Sequence, residues 1–241
     1  MSQFAVRTEA LTKSYGDVPV VRGLNLEIEP GEVYDFLGPN GAGKTTTMRL
    51  LTGLLEPTGG DGWVCGDCIT DRGAVSRHVG YLPERPPLYE ELTGREQLEF
   101  VAQLRGQPAD AATETATTLL DRFGLTDDGD KRIEAYSTGM RKKAGLAQAV
   151  LHEPAVLFLD EPTAGLDPRA ARSVRTELRR LADAGTTVFL SSHLLSVVTE
   201  LTDRVGLLTD GTLVAEGPPD EVADRVDSEE LEDAFIELTG D

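Results

Sequence analysis

Apolar and polar positions alternate in two rhythms along this chain. Short apolar runs of four or five residues read as buried strands: Val33–Leu37, Val156–Asp160 (VLFLD), Thr187–Leu190 (TVFL) and Val205–Leu208. Between them lie stretches with helical spacing. A helix opens at DPRAARSVRTELRRLADAG, with Asp167 as N-cap, Pro168 in the first turn and Gly185 past the end. A second opens at TGREQLEF, where Thr93 and Glu96 have capping-box spacing. From about residue 86 to 151 the chain reads mostly helical, as an insert. Residues 1–30 and 58–82 read as short strands and turns. Strands separated by helices point to an α/β protein with a largely parallel, buried sheet. No internal repeat, low-complexity segment or linker divides it, so residues 1–220 read as one domain. In DSEELEDAFIELTGD, Leu231, Phe235 and Leu238 recur at helical spacing, so residues 221–241 read as an amphipathic extension that packs on its own domain or meets a partner.

Charge changes the picture. Asp and Glu number 42 against 23 Lys and Arg, a net charge of −19, and only five residues are lysines. Acid is spread over the whole chain. Such a surface repels itself at low ionic strength and is tolerated where salt screens it, which suggests a halophile's cytoplasm. It also lacks the basic stripe that neutralises phosphates, so no nucleic-acid partner is expected. Residues 1–10 do not read as a secretory signal, and no apolar run approaches the roughly 18 residues of a spanning helix. Cys65 and Cys68 (CGDC) are too few to close a structural zinc site and read as turn residues, with a redox pair or an intermolecular metal site as alternatives.

The stretch FLGPNGAGKTTTM fits neither rhythm. Glycines weaken strands and threonines are mediocre helix formers, so it reads as a site. Gly38, Pro39, Asn40, Gly41, Ala42, Gly43, Lys44 and Thr45 match G-x-x-x-x-G-K-[ST], behind a strand (Val33–Leu37) and ahead of a helix (residues 45–53), with Thr46 next in line. Glycines let successive N–H groups turn inward on phosphate oxygens, and the helix N-terminus adds partial positive charge. Lys44 would reach the β- and γ-phosphates of a nucleotide, and the Thr45 hydroxyl would ligand Mg²⁺. Asp35, inside the strand feeding this loop, has no account at sequence level: a buried carboxylate must be paired, hydrogen-bonded or protonated. Asp160 and Glu161 end another apolar strand, at the edge where open α/β sheets place ligands. Asp160 is the candidate Mg²⁺ partner, and Glu161 the candidate general base toward water.

With these residues in place, the sequence resembles the nucleotide-binding subunit of ABC transporters, in order, over nearly the whole chain. The resemblance implies a P-loop NTPase core with a parallel sheet, an antiparallel β subdomain and a helical insert. It implies ATP as cofactor with Mg²⁺, and further site residues. Tyr15 would stack on adenine. Ser137 and Gly139 in YSTGM match the signature motif and would hold the γ-phosphate of an ATP bound to the other subunit. Asp167 would lie on the loop crossing the dimer interface, and His193 matches the switch histidine at the γ-phosphate. Three departures stand out, and two of them, Thr138 and Met140, occupy positions where the family often has Gly and Gln. Glu84, in VGYLPE, replaces a common glutamine that ligands Mg²⁺ and senses the membrane partner. With YSTGMRKK and the C-terminal LEDAFIELTG, it resembles the exporter branch that pairs with ABC-2 permeases.

The implied function is an ATP-hydrolysing motor on the cytoplasmic face of the membrane. It would dimerise head to tail with a second copy or a paralogous ATPase subunit, and dock on a separate permease chain. Two other readings stay open from the residues: a soluble non-transport ABC ATPase, and a regulatory module that holds ATP without splitting it. The first would be expected to carry tandem cassettes or a coiled-coil insertion, the second to lack Glu161 or His193. The transported substrate is chosen by the membrane subunit and is not written in this chain.

Overall fold

The computed structural model describes residues 4–192 and 201–224. Two sheets face each other across an aromatic core. The larger has six strands in the order β10-β9-β3-β8-β7-β6: β3 (Val33–Leu37), β6 (Val79–Leu82), β7 (Val156–Asp160), β8 (Thr187–Ser192) and β9 (Arg204–Thr209) run parallel, while β10 (Thr212–Gly217) is antiparallel at one edge. The smaller is antiparallel, in the order β2-β1-β4-β5: β1 (Val6–Tyr15), β2 (Val18–Ile28), β4 (Gly59–Val64) and β5 (Asp67–Cys68). The expected α/β class with its parallel sheet and antiparallel β subdomain is what forms.

Every side chain of β3 and β7 is buried, because helices and the second sheet cover both faces of the parallel sheet. On one face Tyr34, Phe36, Phe158 and Phe189 pack with centroids 5.0–5.7 Å apart, against Met48, Leu50 and Leu51 of α1 (Lys44–Leu51) and the inner face of the small sheet. Burying each large apolar side chain contributes roughly 1.5–3 kcal/mol. The other face carries α5 (Thr138–Val150) and α6 (Pro168–Asp183), with α3 (Gly94–Leu104) and α4 (Ala109–Arg122) packed beyond them. The helices α3, α4 and α5 fall within the stretch read as helical. Thr93 and Glu96 form the capping box, and Asp167 caps α6 by accepting from the N–H groups of Arg169 and Ala170 at 3.0 and 2.9 Å.

The structure differs from the sequence reading in three places. The first thirty residues form two long strands of 10 and 11 residues rather than short ones. Register shifts at Thr8–Leu11 and Leu11–Lys13, with Ala10 at φ 47°, break the two-residue alternation by which a strand is recognised. A one-turn helix α2 (Arg72–Val75), capped by Asp71, interrupts the turns, and the strand after it joins the parallel sheet. Cys65 (φ 52°) and Gly66 (φ 88°) form the expected turn between β4 and β5, whereas Cys68, also read as a turn residue, lies in β5 opposite Trp63; both cysteines are free thiols. The C-terminal segment from residue 225 lies outside the described residues, beyond a short helix over Pro219–Asp224.

Candidate active site

The strands β3 and β7 deliver their C-terminal ends to one cleft of about 360 Å³. Pro39 to Thr46 line it in sequence, directly after Gly38. A Cβ at Gly38 would fall 2.3 Å from the Leu208 carbonyl oxygen, and one at Gly43, where φ is 102°, 2.6 Å from that of Val20, so neither position accepts a side chain. The loop ends in α1 with no side-chain cap. In such a helix the N–H groups of the first turn have no internal acceptor. Here those of Lys44, Thr45 and Thr46 lie at the cleft, an arrangement suited to an anion.

The side chains fit the same ligand. Lys44 is buried, and its ammonium donates to the carbonyl of Gly38 and, at 3.1 Å, to that of Pro39. Burial lowers its pKa, and the carboxylates of Glu161, Asp160 and Asp35 counteract that. Thr45 Oγ1 donates to Asp160 Oδ2 at 2.7 Å, joining the loop to the end of β7 although β8 runs between their strands. Ser191 Oγ, on β8, donates to Asp160 Oδ1 at 2.8 Å. Both oxygens of Asp160 are thereby held. A hydroxyl and a carboxylate in hydrogen-bond contact beside a phosphate cradle are the hard oxygen donors that suit Mg²⁺.

Glu161 lines the cleft from a left-handed backbone, φ 49°, with its N–H directed at Ser191 O (3.2 Å) and Oγ (3.3 Å). Glu84, exposed on the loop after β6, lines the same cleft. The structure thus brings together Gly43, Lys44, Thr45, Glu84, Asp160 and Glu161.

Other expected residues lie elsewhere. Tyr15 is half exposed at the β1–β2 turn with the Lys13 ammonium 5.4 Å from its ring centroid, and it does not line the cleft; Val20 of the same hairpin does. Ser137 caps α5 on the surface, accepting from the Met140 N–H at 3.3 Å. A Cβ at Gly139 would meet Ala170 and Leu166 at 3.5 and 3.9 Å, so the start of α5 packs beside the turn that carries Asp167. His193 lies outside the described residues.

Sequence reasoning passed over three residues. Ser191 and Ser192 lie just past the strand expected over Thr187–Leu190, yet they extend it and point to opposite faces, one to Asp160 and the other to Asp35, whose Oδ2 accepts from Ser192 Oγ at 2.7 Å. Strand alternation was the available signal. Lys142 lies in the RKK run of YSTGMRKK, which gives no sign of burial, yet it is 4% exposed.

Asp35 itself is wholly buried and its Oδ1 has no hydrogen-bond partner. Burial raises its pKa to about 8; Ser192 counteracts that, Glu161 adds to it and Lys44 opposes it. Burial with a single hydroxyl partner thus favours the protonated carboxyl, so the question its position poses is met by a hydrogen bond and a raised pKa.

A glycine-rich loop hydrogen-bonded through Thr45 to an aspartate at the C-terminal edge of a parallel sheet has the pattern of a P-loop NTPase. The chain belongs to the ABC transporter family, whose pattern matches residues 21–164. It is 42% identical to the daunorubicin resistance ATP-binding protein DrrA3 of Streptomyces coeruleorubidus, over 94% of this chain and 74% of that one. It is 39% identical to the bacitracin transport ATP-binding protein BcrA of Enterococcus faecalis, over 89% and 69%. A solved ATP-binding subunit of an ABC transporter superposes with a TM-score of 0.88 at 29% identity, covering 98% of this chain and 99% of the other. The fold is that of the ABC ATPases. The chain binds ATP and acts as the ATP-hydrolysing motor subunit of a membrane transporter. No helix among the described residues is long and apolar enough to cross a membrane.

Proposed function

We propose that this subunit powers export through a separate ABC-2 permease, from the cytoplasmic face of the membrane. Relatives named for daunorubicin resistance and bacitracin transport support that reading. The carrying observation within the site is the 2.7 Å contact of Thr45 with Asp160 beside Lys44.

In this reading the loop N–H groups bind the phosphates, and Lys44 exchanges its two carbonyl acceptors for β- and γ-phosphate oxygens. Thr45, Asp160 and Glu84 would hold Mg²⁺, whose chemistry would be to neutralise developing phosphate charge. Glu161 accepts the proton of the attacking water. Tyr15 stacks on adenine and His193 meets the γ-phosphate. Ser137, Gly139 and Asp167 face the nucleotide of a second copy or a paralogous subunit, so that two ATPs are clamped between two chains and released after hydrolysis. The acidic surface suits a halophile's cytoplasm and no nucleic-acid partner.

The test is co-expression with the membrane protein encoded beside this chain. A partner with about six spanning helices that retains this chain through membrane extraction, and stimulates its hydrolysis, is expected. A neighbour that neither retains nor stimulates it would count against the export reading.

A further inference from the structure

The left-handed backbone of Glu161 is held from two sides. Its N–H meets Ser191, as described, and its carbonyl accepts from Lys142 Nζ at 2.8 Å. Lys142 comes from α5, the helix that opens on Ser137, about 7.5 Å along the axis from that cap at 1.5 Å per residue. Lys142 is itself buried, as are Ala144, Gly145 and Leu146 of the same helix. Burial lowers the pKa of the ammonium, and the carboxylates of Glu84, Asp160 and Glu161 raise it. A buried ammonium is retained only where nearby negative charge and hydrogen bonds stabilise it. Here that charge belongs to the three acids of the cleft. The same rigid helix therefore presents its N-terminus at the surface and its lysine to the back of the site.

We propose that Lys142 is a positioning residue that fixes the Glu161 backbone from the helix bearing Ser137, linking the nucleotide seated on that helix by a second copy to the base of this copy's own cleft. The inference rests on the proposed role of Glu161 and on the head-to-tail pairing. Lys142 touches no substrate. It acts through the peptide between Glu161 and Pro162, whose rotation would swing the carboxylate off the water.

Lys142→Met keeps the length of the stem and removes the donor and the charge. ATP hydrolysis, nucleotide affinity and light-scattering mass are measured on the full chain with Mg-ATP. Expected are a fall in kcat of roughly 30-fold or more, a KM for ATP within about threefold, and an ATP-bound dimer that still forms, because binding is intact and only the base is misplaced. Lys142→Arg, which restores donor and charge, recovers the rate to within about fivefold. If Lys142→Met does not fold, Lys142→Gln is read the same way. A rate within threefold of wild type overturns the proposal. So does joint loss of ATP binding, dimer and thermal midpoint, which marks a merely structural lysine. Glu161→Gln is assayed alongside: if it hydrolyses ATP normally, the base assignment falls; if it is inactive while Lys142→Met is fully active, only the role of Lys142 falls.

Discussion

The strands β3 and β7 are alike in most respects and opposite in one. VYDFL and VLFLD are five residues each, wholly buried, parallel, and separated only by β8. Each contains one aspartate. In β7 it is the last residue, where Ser191 and Thr45 supply a hydroxyl to each oxygen and the cleft is open beside it. In β3 it is the third, where Ser192 reaches one oxygen and the other is orphaned. Two residues of position along a strand separate a carboxylate at the open cleft from one whose burial favours the protonated form. Chemistry at this edge depends on where a strand ends as much as on which residues it contains.

Making the same substitution in both strands breaks the comparison most directly. Asp160→Asn should lower hydrolysis by roughly 10²–10³-fold, the scale of losing a charged group at a reacting phosphate, with little change in thermal midpoint. Asp35→Asn should leave hydrolysis within about threefold and raise stability. The sign follows from proton linkage. With a folded pKa of about 8 against an ordinary 3.8, the folded protein holds a proton that the unfolded chain releases. The stability contributed by neutral Asp35 is fully present below pH 4 and declines up to about pH 8, at about 1.4 kcal/mol per pH unit. Asparagine has no such slope. Its advantage over wild type should therefore grow between pH 5 and pH 8 in urea unfolding at each pH. An advantage that does not vary with pH would mean that Asp35 is ionised in the fold.

A smaller effect separates exposed acid from buried acid. Solvated carboxylates repel one another over a Debye length of about 10 Å at 0.1 M salt and about 3 Å at 1 M. The thermal midpoint should rise by roughly 3–8 °C across that KCl range, about 1–2 kcal/mol for a chain of this size. The gain from Asp35→Asn should be unaltered, because salt does not reach that carboxyl. A midpoint flat or falling with KCl would contradict the halophile reading.

Much of this was legible in the sequence because local rules and tertiary context agree. The β3 and β7 bounds, the Asp167 cap, the Thr93 capping box and the phosphate loop each follow from a few adjacent residues. The illegible parts depend on contacts distant in sequence. The strand β1 is disguised by bulges that bring Ala10 against Gly60, where an added Cβ would meet the Ala10 carbonyl oxygen at 2.1 Å. The burial of Lys142 is illegible because nothing near it in sequence reports the Glu161 carbonyl it donates to. Glu161 shows the same limit: its carboxylate is legible as a candidate base, but its left-handed backbone is not, since no glycine or asparagine marks it.

The central claim is that two copies clamp ATP and that Glu161 serves only its hydrolysis. Glu161→Gln keeps size and hydrogen bonding while removing the base, so light scattering in high salt with saturating Mg-ATP should find a stable dimer of unhydrolysed complex. Lys44→Ala, which cannot hold the phosphates, and Ser137→Arg, which blocks the second copy's nucleotide, should remain monomeric under the same conditions. A Glu161→Gln variant that stays monomeric when saturated with ATP, or turns over at the wild-type rate, would contradict the account.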